Sequence, residues 1–402
     1  MMSKPTIFNN TISRRTLLQG AGAVGLAAGF APCSLWAQTP QRGGHARYGV
    51  RGGSTSDSLD PATFSDVFAR TMGYGFTNTL TELDGNNQLQ PELLESWDAE
   101  TGAKTWIFKL RKGITFHNGK TLDADDIIAN INHHRGEKSK SGVKSLLKAI
   151  SSMTREDDRT IRFELETGNA DFPYIFADYR LLIVPSKDGQ LDWKDGIGTG
   201  GYVLKSFEPG VRATLERNPD YWRSDRAFFD SAEIITMADV TARQNALMTG
   251  SIDIMDQVDL KTVALLKRAK NVSVADTAGG LHYVYLMNTT LDPFTSNDLR
   301  LAFKYGVDRE ALLKKVLHGY GTLGNDHPIA STMKYHAADL PQRSYAPDKA
   351  KFHFKKAGFD GKSMDLSVSD SLYAGAVDGV TLYKEQVAVG GVDLGIVPHP
   401  SA

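Results

Sequence analysis

Residues 91–131, reading PELLESWDAETGAKTWIFKLRKGITFHNGKTLDADDIIANI, constrain the fold more than any other stretch. The run 104–110 alternates strictly. Trp106, Phe108 and Leu110 share one face, and Thr105, Ile107 and Lys109 the other, as a half-buried strand requires. Asn118-Gly119 marks a turn, because both residues tolerate positive φ. Asp123 is placed to cap a helix, and Asp125 and Asp126 fall in its first turn, where carboxylates meet the positive end of the helix dipole. Ala124, Ile127, Ile128 and Ile131 then recur on one helical face. The stretch predicts a strand, a turn and a capped helix of a mixed α/β domain.

A chain of 402 residues is too long for one ordinary core and predicts two or three domains. Lysine plus arginine (46) nearly balance aspartate plus glutamate (47), so no basic excess points to nucleic acid. Lys4, Arg14 and Arg15 precede an uncharged, Ala- and Gly-rich run at 20–36. Leu35-Trp36-Ala37 then supplies a small-residue cleavage site before Gln38. Residues 1–37 therefore read as an export signal, and Ser13-Arg14-Arg15-Thr16-Leu17-Leu18 has the form of a twin-arginine signal. Cys33, the sole cysteine, lies inside it, and Pro32 before it disfavours a lipidated N-terminus. The chain beyond residue 37 has no cysteine, which suits an oxidising periplasm.

Two motifs mislead. Gly20-Ala21-Gly22-Ala23-Val24-Gly25 satisfies the dinucleotide-binding pattern but lacks a preceding strand and a βαβ context. The segment 113–121 resembles a P-loop, yet five residues separate its glycines instead of four, and bulky Phe116 sits where backbone amides would wrap phosphate. A turn-closed strand pair is the simpler reading.

Downstream, strands are expected at 45–50, 160–165, 181–185, 202–207, 212–217, 233–237, 251–255, 272–277, 282–287, 364–369 and 392–397, with a hairpin over 81–89. Helices are expected at 65–80, 241–249, 298–305, 309–318, 347–357 and 376–389. The irregular alternation predicts α/β architecture with mixed sheets. Gly196-Ile197-Gly198-Thr199-Gly200-Gly201-Tyr202 reads equally as an interdomain hinge or as a surface loop.

Catalytic and metal chemistry find little support. Adjacent His133 and His134 point about 100° apart on a helix and read as solvent-exposed rather than as a zinc pair. There is no GxSxG elbow, and Asp125/Asp126 are explained by helix electrostatics. His327 beside Asp326 is the better pocket candidate. No metal and no cofactor is expected, and a binding protein rather than an enzyme is the expectation.

Four stretches resemble the bacterial extracellular solute-binding proteins of family 5, the periplasmic dipeptide-, oligopeptide- and nickel-binding components of ABC importers. They are Leu59-Asp60-Pro61-Ala62; Leu94-Glu95-Ser96-Trp97 with the run from Thr105 to Lys120; Gly198-Thr199-Gly200-Gly201-Tyr202 through Arg217-Asn218-Pro219-Asp220-Tyr221-Trp222; and Met287-Asn288-Thr289-Thr290 through Asp308-Arg309-Glu310-Ala311-Leu312. The resemblance implies an α/β, two-lobed type II periplasmic-binding-protein fold with an extra subdomain. Residues 38–85 and 186–281 would build lobe I, 86–185 the extra subdomain, and 282–402 lobe II.

The resemblance implies periplasmic capture of a peptide or small solute between the lobes, by a monomer that delivers it to a membrane permease. Backbone groups would pair with an extended peptide, with Phe64, Ser65, Asp66, Tyr283, Asp326 and His327 as candidate contacts. Family members continue for over a hundred residues beyond the corresponding point, so a C-terminally truncated lobe II is the expectation. Where dipeptide binders place an arginine, this sequence has Ser371-Leu372-Tyr373-Ala374, which does not support dipeptide specificity. A non-functional remnant and an exported α/β hydrolase are the alternative readings.

Overall fold

The computed structural model describes residues 40–277, 279–369, 372–373 and 375–399. The export signal read at 1–37, with Cys33 and the glycine pattern at 20–25, lies outside them, as do Ser371 and Ala374.

The organising stretch forms as its pattern requires. Thr105–Leu110 is a strand with Trp106, Phe108 and Leu110 buried. It pairs antiparallel with Leu94–Ala99 and Thr160–Leu165, and Ile150–Arg155 completes a four-stranded sheet. Phe108 is in ring contact with Phe163 at 4.9 Å and Phe176 at 5.2 Å. Phe172 and Phe176, from the 3-10 turn Phe172–Ala177, meet edge to face at 5.0 Å. Such aromatic pairs add about 0.5–1.5 kcal/mol each beyond their area burial. The helix Ala124–Arg135 buries Ala124, Ile127 and Ile131 in the same core.

Its start is a capping box. Asp123 accepts the Asp126 amide at 3.1 Å, and Asp126 accepts the Asp123 amide at 3.2 Å. Asp126 does more than face the helix dipole. It is fully buried and also accepts from the Ser186 amide (2.7 Å), the Ser186 hydroxyl (2.8 Å) and the Lys120 ammonium. The expectation of solvent-exposed histidines fails here. His134 is fully buried, with Nδ1 2.7 Å from the Ser141 hydroxyl, and His133 Nε2 lies 2.8 Å from Asp60.

The expected strand at 181–185 is also corrected. Residues 181–184 are buried but join no sheet among the described residues. The Asn130 side chain takes the place of a neighbouring strand, accepting from the Val184 amide at 3.2 Å and donating to its carbonyl at 2.7 Å. A buried backbone needs partners, and here an amide side chain supplies them.

A second core surrounds a five-stranded sheet with the order Tyr202–Glu208, Arg212–Arg217, Ser231–Thr236, His45–Val50, Ile254–Met255. The last three strands run parallel; the first two form the expected hairpin, of which Arg212–Arg217 pairs antiparallel with Ser231–Thr236. The helix expected at 65–80 spans Val67–Phe76, because Asp66 turns to accept the Ala69 amide at 2.9 Å and Thr77 leaves helical geometry.

The glycine cluster is buried rather than a surface loop. The Gly200 amide donates to the Phe76 carbonyl at 3.0 Å. A Cβ on Gly200 would lie 2.6 Å from the Thr77 nitrogen and 2.7 Å from the Gly75 oxygen, so glycine here permits close approach of two backbones. His117, from the organising stretch, fastens the other side. Its amide donates to the Gly198 carbonyl at 2.9 Å; Nδ1 accepts the Gly198 amide at 3.3 Å, so Nε2 donates to the Gly200 carbonyl at 3.0 Å. Burial pulls the His117 pKa below its usual value, in keeping with this neutral tautomer.

A third core gathers the helices Asn297–Tyr305, Pro347–Lys356 and Ala376–Ala388 with the parallel strands Ser363–Val368 and Asp393–Pro398. Arg309–Lys315 is a helix capped by Asp308, which accepts the Ala311 amide at 2.9 Å. The strands expected at 272–277 and 282–287 have no ladder partner among the described residues. The second keeps its alternation. Tyr285 and Met287 pack on the third core, while Val284 and Leu286 are exposed. A period of two marks a half-buried extended chain, and pairing needs a neighbouring strand as well.

Candidate functional site at the ends of the parallel strands

Two cavities compete for a functional reading. One, of about 490 Å³, lies where the four-stranded and five-stranded bodies meet. Its polar lining is already paired. Glu92 accepts from Asn78 at 2.6 Å and from Arg223; Glu82 accepts from Arg223 at 3.0 Å and from Arg226 at 2.9 Å; the Tyr221 hydroxyl accepts from Asn78 at 3.0 Å. Burial, reinforced by the charge on Glu82, pushes the Glu92 carboxyl up to about 7 against the pull of Arg223. A network that satisfies itself holds two bodies together and leaves little for a ligand.

The other cavity, of about 470 Å³, separates the five-stranded body from the C-terminal body. Its position follows from topology. Arg51 directly follows the strand His45–Val50. Ala238, Asp239 and Val240 follow Ser231–Thr236, and residues 257–261 follow Ile254–Met255. These are the carboxyl ends of three parallel strands. Across the cavity, Tyr373 and Gly375 follow the parallel strand Ser363–Val368, and Val316 and His318 lie beyond the helix Arg309–Lys315. Ligands of α/β sheets bind in the crevice outside the carboxyl ends of strands. The two walls meet through exposed groups, Lys261 lying 3.2 Å from Asp378.

The electrostatics of this cavity are uneven. Asp239 accepts the Ala242 amide at 2.7 Å and Asp259 the Lys261 amide at 3.0 Å, so both lining acids are tied to backbone. Arg243 is only 2% exposed. Its Nη1 donates to the Met237 carbonyl and, at 2.9 Å, to the Ala238 carbonyl, while Nε is buried without a hydrogen-bond partner. Burial, countered by Asp256, draws its pKa below the guanidinium value.

Among the sequence-derived candidates, Tyr283 comes nearest to this cavity, its ring stacked at 3.8 Å on Tyr373. Phe64 lies in the second core, Ser65 is exposed beside it, and Asp66 caps its helix and accepts the Gly53 amide at 3.1 Å. Asp326 is held by Arg309 and, at 2.6 Å, by Arg343, and the His327 ring lies 5.3 Å from that of His336. None of the six lines the cavity. Arg51, Arg243, Lys261 and His318 were not singled out from sequence. The available signal was the strand at 45–50 ending in arginine, and it needs parallel pairing to be read.

Residues 88–401 match the family described as bacterial extracellular solute-binding proteins, family 5 Middle. The chain is 25% identical over 386 residues to the glutathione-binding protein GsiB of Pectobacterium atrosepticum, spanning 95% of this chain and 73% of that one. It is 29% identical over 387 residues to the probable peptide ABC transporter periplasmic-binding protein y4tO of Sinorhizobium fredii, spanning 88% and 70%. The periplasmic binding protein DppA of Helicobacter pylori, solved with the peptide STSA, superposes with a TM-score of 0.74 at 24% identity. That match covers 90% of this chain and 75% of DppA, and shows a common two-lobed fold. The chain belongs to the bacterial extracellular solute-binding proteins of family 5.

Proposed function

We propose that this chain is exported to the periplasm, captures a peptide or related small solute in the cavity between its lobes, and delivers it to the permease of an ABC importer. One observation carries the reading. Parallel-strand ends from both lobes converge on a single 470 Å³ space, whose walls meet through exposed groups such as Lys261–Asp378 and Lys267 over the Tyr320 ring. Such a space can open and close by motion of two preformed bodies, and the ligand then shifts the balance toward the closed form. The names of the relatives, glutathione-binding and peptide-binding, support a peptide-like solute. The leader sequence around Arg14-Arg15 supports the twin-arginine route. Tyr373 forms one wall, with Tyr283 behind it, and the other candidate residues act from outside this space.

The test is ligand-induced thermal stabilisation of the purified chain by a library of peptides, glutathione and small-solute metal complexes. A true ligand at a hundred times its Kd stabilises by about 2.7 kcal/mol. Tyr373→Ala is expected to remove that shift and also to lower the unliganded melting temperature, because it deletes the ring stacked on Tyr283 and packed against Val368, Ala376 and Val380. No shift with any library member refutes the reading.

A further inference from the structure

We propose that the four-stranded body rests on an anionic phospholipid surface through the basic segment 132–149, with Leu146 entering the lipid interface. The proposal goes beyond the binding reading, since neither the cavity nor a ligand enters it. The chain as a whole is nearly neutral, but its charge is not evenly spread. Residues 132–149 carry Arg135, Lys138, Lys140, Lys144 and Lys148 against Glu137 alone, a formal charge of +4 in a chain of −1. None of the four lysines has an acid within ion-pair distance among the described residues. The arginines on the outer face of the neighbouring sheet differ, since Arg155, Arg159 and Arg162 each hold a carboxylate. The other charges at the border change little. Arg135 donates to the Ile150 carbonyl at 2.8 Å, Arg180 packs on Gly142 and holds Asp178 at 3.2 Å, and Glu166 adds one acid where its amide meets the Ala149 carbonyl.

The fold holds these lysines in a fixed arrangement. Val143 and Leu147 are buried in the first core and anchor the short helix Lys144–Leu147. The His134 ring, 2.7 Å from the Ser141 hydroxyl, fastens the loop before it. The Lys144 ammonium donates to the Glu137 carbonyl and, at 3.4 Å, to the Ser139 carbonyl, which draws the loop against the helix. Lys138 and Lys140 from the loop and Lys148 from the helix end stay exposed, and Leu146, opposite the buried Leu147, is 49% exposed. An exposed leucine among unpaired cations matches a surface with negative headgroups over an apolar interior. Lysines are hydrated point charges without the fork that reads a fixed carboxylate, which favours a fluid anionic surface over the acidic face of a folded protein.

The experiment is cosedimentation of the whole exported chain, freed of the leader 1–37 so that the leader's own arginines and apolar run take no part. The vesicles hold about 30% phosphatidylglycerol in phosphatidylcholine, or phosphatidylcholine alone. The anionic vesicles are expected to take up the chain at low salt and millimolar lipid, the neutral ones are not, and uptake falls as salt rises. Lys138→Gln, Lys140→Gln and Lys148→Gln together are expected to remove measurable uptake, at about fivefold per lysine. Leu146→Ser is expected to lower it about fivefold. All four positions are exposed or half-exposed, so the melting temperature is expected to stay at the wild-type value. The control removes three exposed lysines of the third core's surface, Lys314→Gln, Lys351→Gln and Lys355→Gln, and is expected to leave uptake unchanged. Equal uptake by neutral vesicles, unchanged uptake in the triple variant at 138, 140 and 148, or an equal loss in the control overturns the inference. Binding to soluble polyglutamate without uptake by anionic vesicles overturns it in favour of an acidic protein partner. Each of these results leaves the solute-binding reading to its own ligand test.

Discussion

Replacing Gly200 by alanine separates the close-approach reading of the glycine cluster from a hinge reading. The φ at Gly200 is not in the left-handed region, so alanine itself is not strained, and the stiffer unfolded chain would favour folding by about 0.4–1 kcal/mol. Against this stands the added methyl. Its nearest neighbours are all backbone: the Phe76 carbonyl carbon, the Thr77 nitrogen at 2.6 Å and the Gly75 oxygen at 2.7 Å. No side-chain rotation relieves such contacts, so overpacking takes the upper part of its usual range of about 1–3 kcal/mol. Pushing the segments apart also endangers the bond from the Gly200 amide to the Phe76 carbonyl, about 1 kcal/mol more. The net expectation is a loss of about 2–3 kcal/mol. Gly85→Ala is the control. It sits at an open hairpin tip with nothing within 4 Å of the added methyl, and is expected to be neutral or stabilised by about 0.4–1 kcal/mol. Urea denaturation followed by tryptophan fluorescence reads both. If Gly200→Ala unfolds with the wild type and alters only ligand affinity, the cluster is a hinge and the packing argument is wrong.

His134 should give the protein an acid-sensitive component. Burial, with His133 adding, pulls its pKa to about 4 from the ordinary 6.5. Between those values the unfolded chain holds the extra proton, so the contribution is complete above pH 6.5 and is lost as pH falls toward 4, amounting to about 3 kcal/mol. Stability measured across that window should flatten in His134→Gln, and an unchanged slope would argue that His134 is not buried as a neutral ring. Glu92→Ala removes one of the acids held by Arg223, which keeps Glu82 and Asp225, and one acceptor of Asn78, which keeps the Tyr221 hydroxyl; it is expected to cost about 1–3 kcal/mol in a urea melt, with Glu92→Gln costing less because it still accepts from Asn78. Equal, small losses in both variants would mean that this junction is not a paired network.

What could be read in advance was local. The strand Thr105–Leu110 follows from a period of two over six residues, and the caps at Asp123 and Asp308 follow from a carboxylate three residues before a free amide. Features that depend on distant partners were not readable. The run at 181–184 is apolar and buried, but whether it pairs is decided by Asn130, more than fifty residues earlier. His134 sits on a polar-looking helix end, yet Ser141 folds back to bury it. Val284 and Leu286 alternate like a strand, yet no ladder forms there among the described residues.

The cavity shows the same division within single residues. Arg51 becomes a site residue because His45–Val50 pairs in parallel with Ser231–Thr236, across a separation of 186 positions between His45 and Ser231. Nothing in a chain with near-balanced charge marks that arginine out beforehand. The local rules still contribute, by subtraction. Asp239 and Asp259 each turn to a backbone amide two or three residues ahead, behaviour that the side-chain chemistry of aspartate favours before helices and in turns. Asp256 lies within ion-pair reach of both arginines, Arg51 and Arg243. The lining of the cavity is therefore set jointly by caps that are local, which orient Asp239 and Asp259, and by a strand register that is not, which is why a site can be obscure in a sequence whose fold is plain.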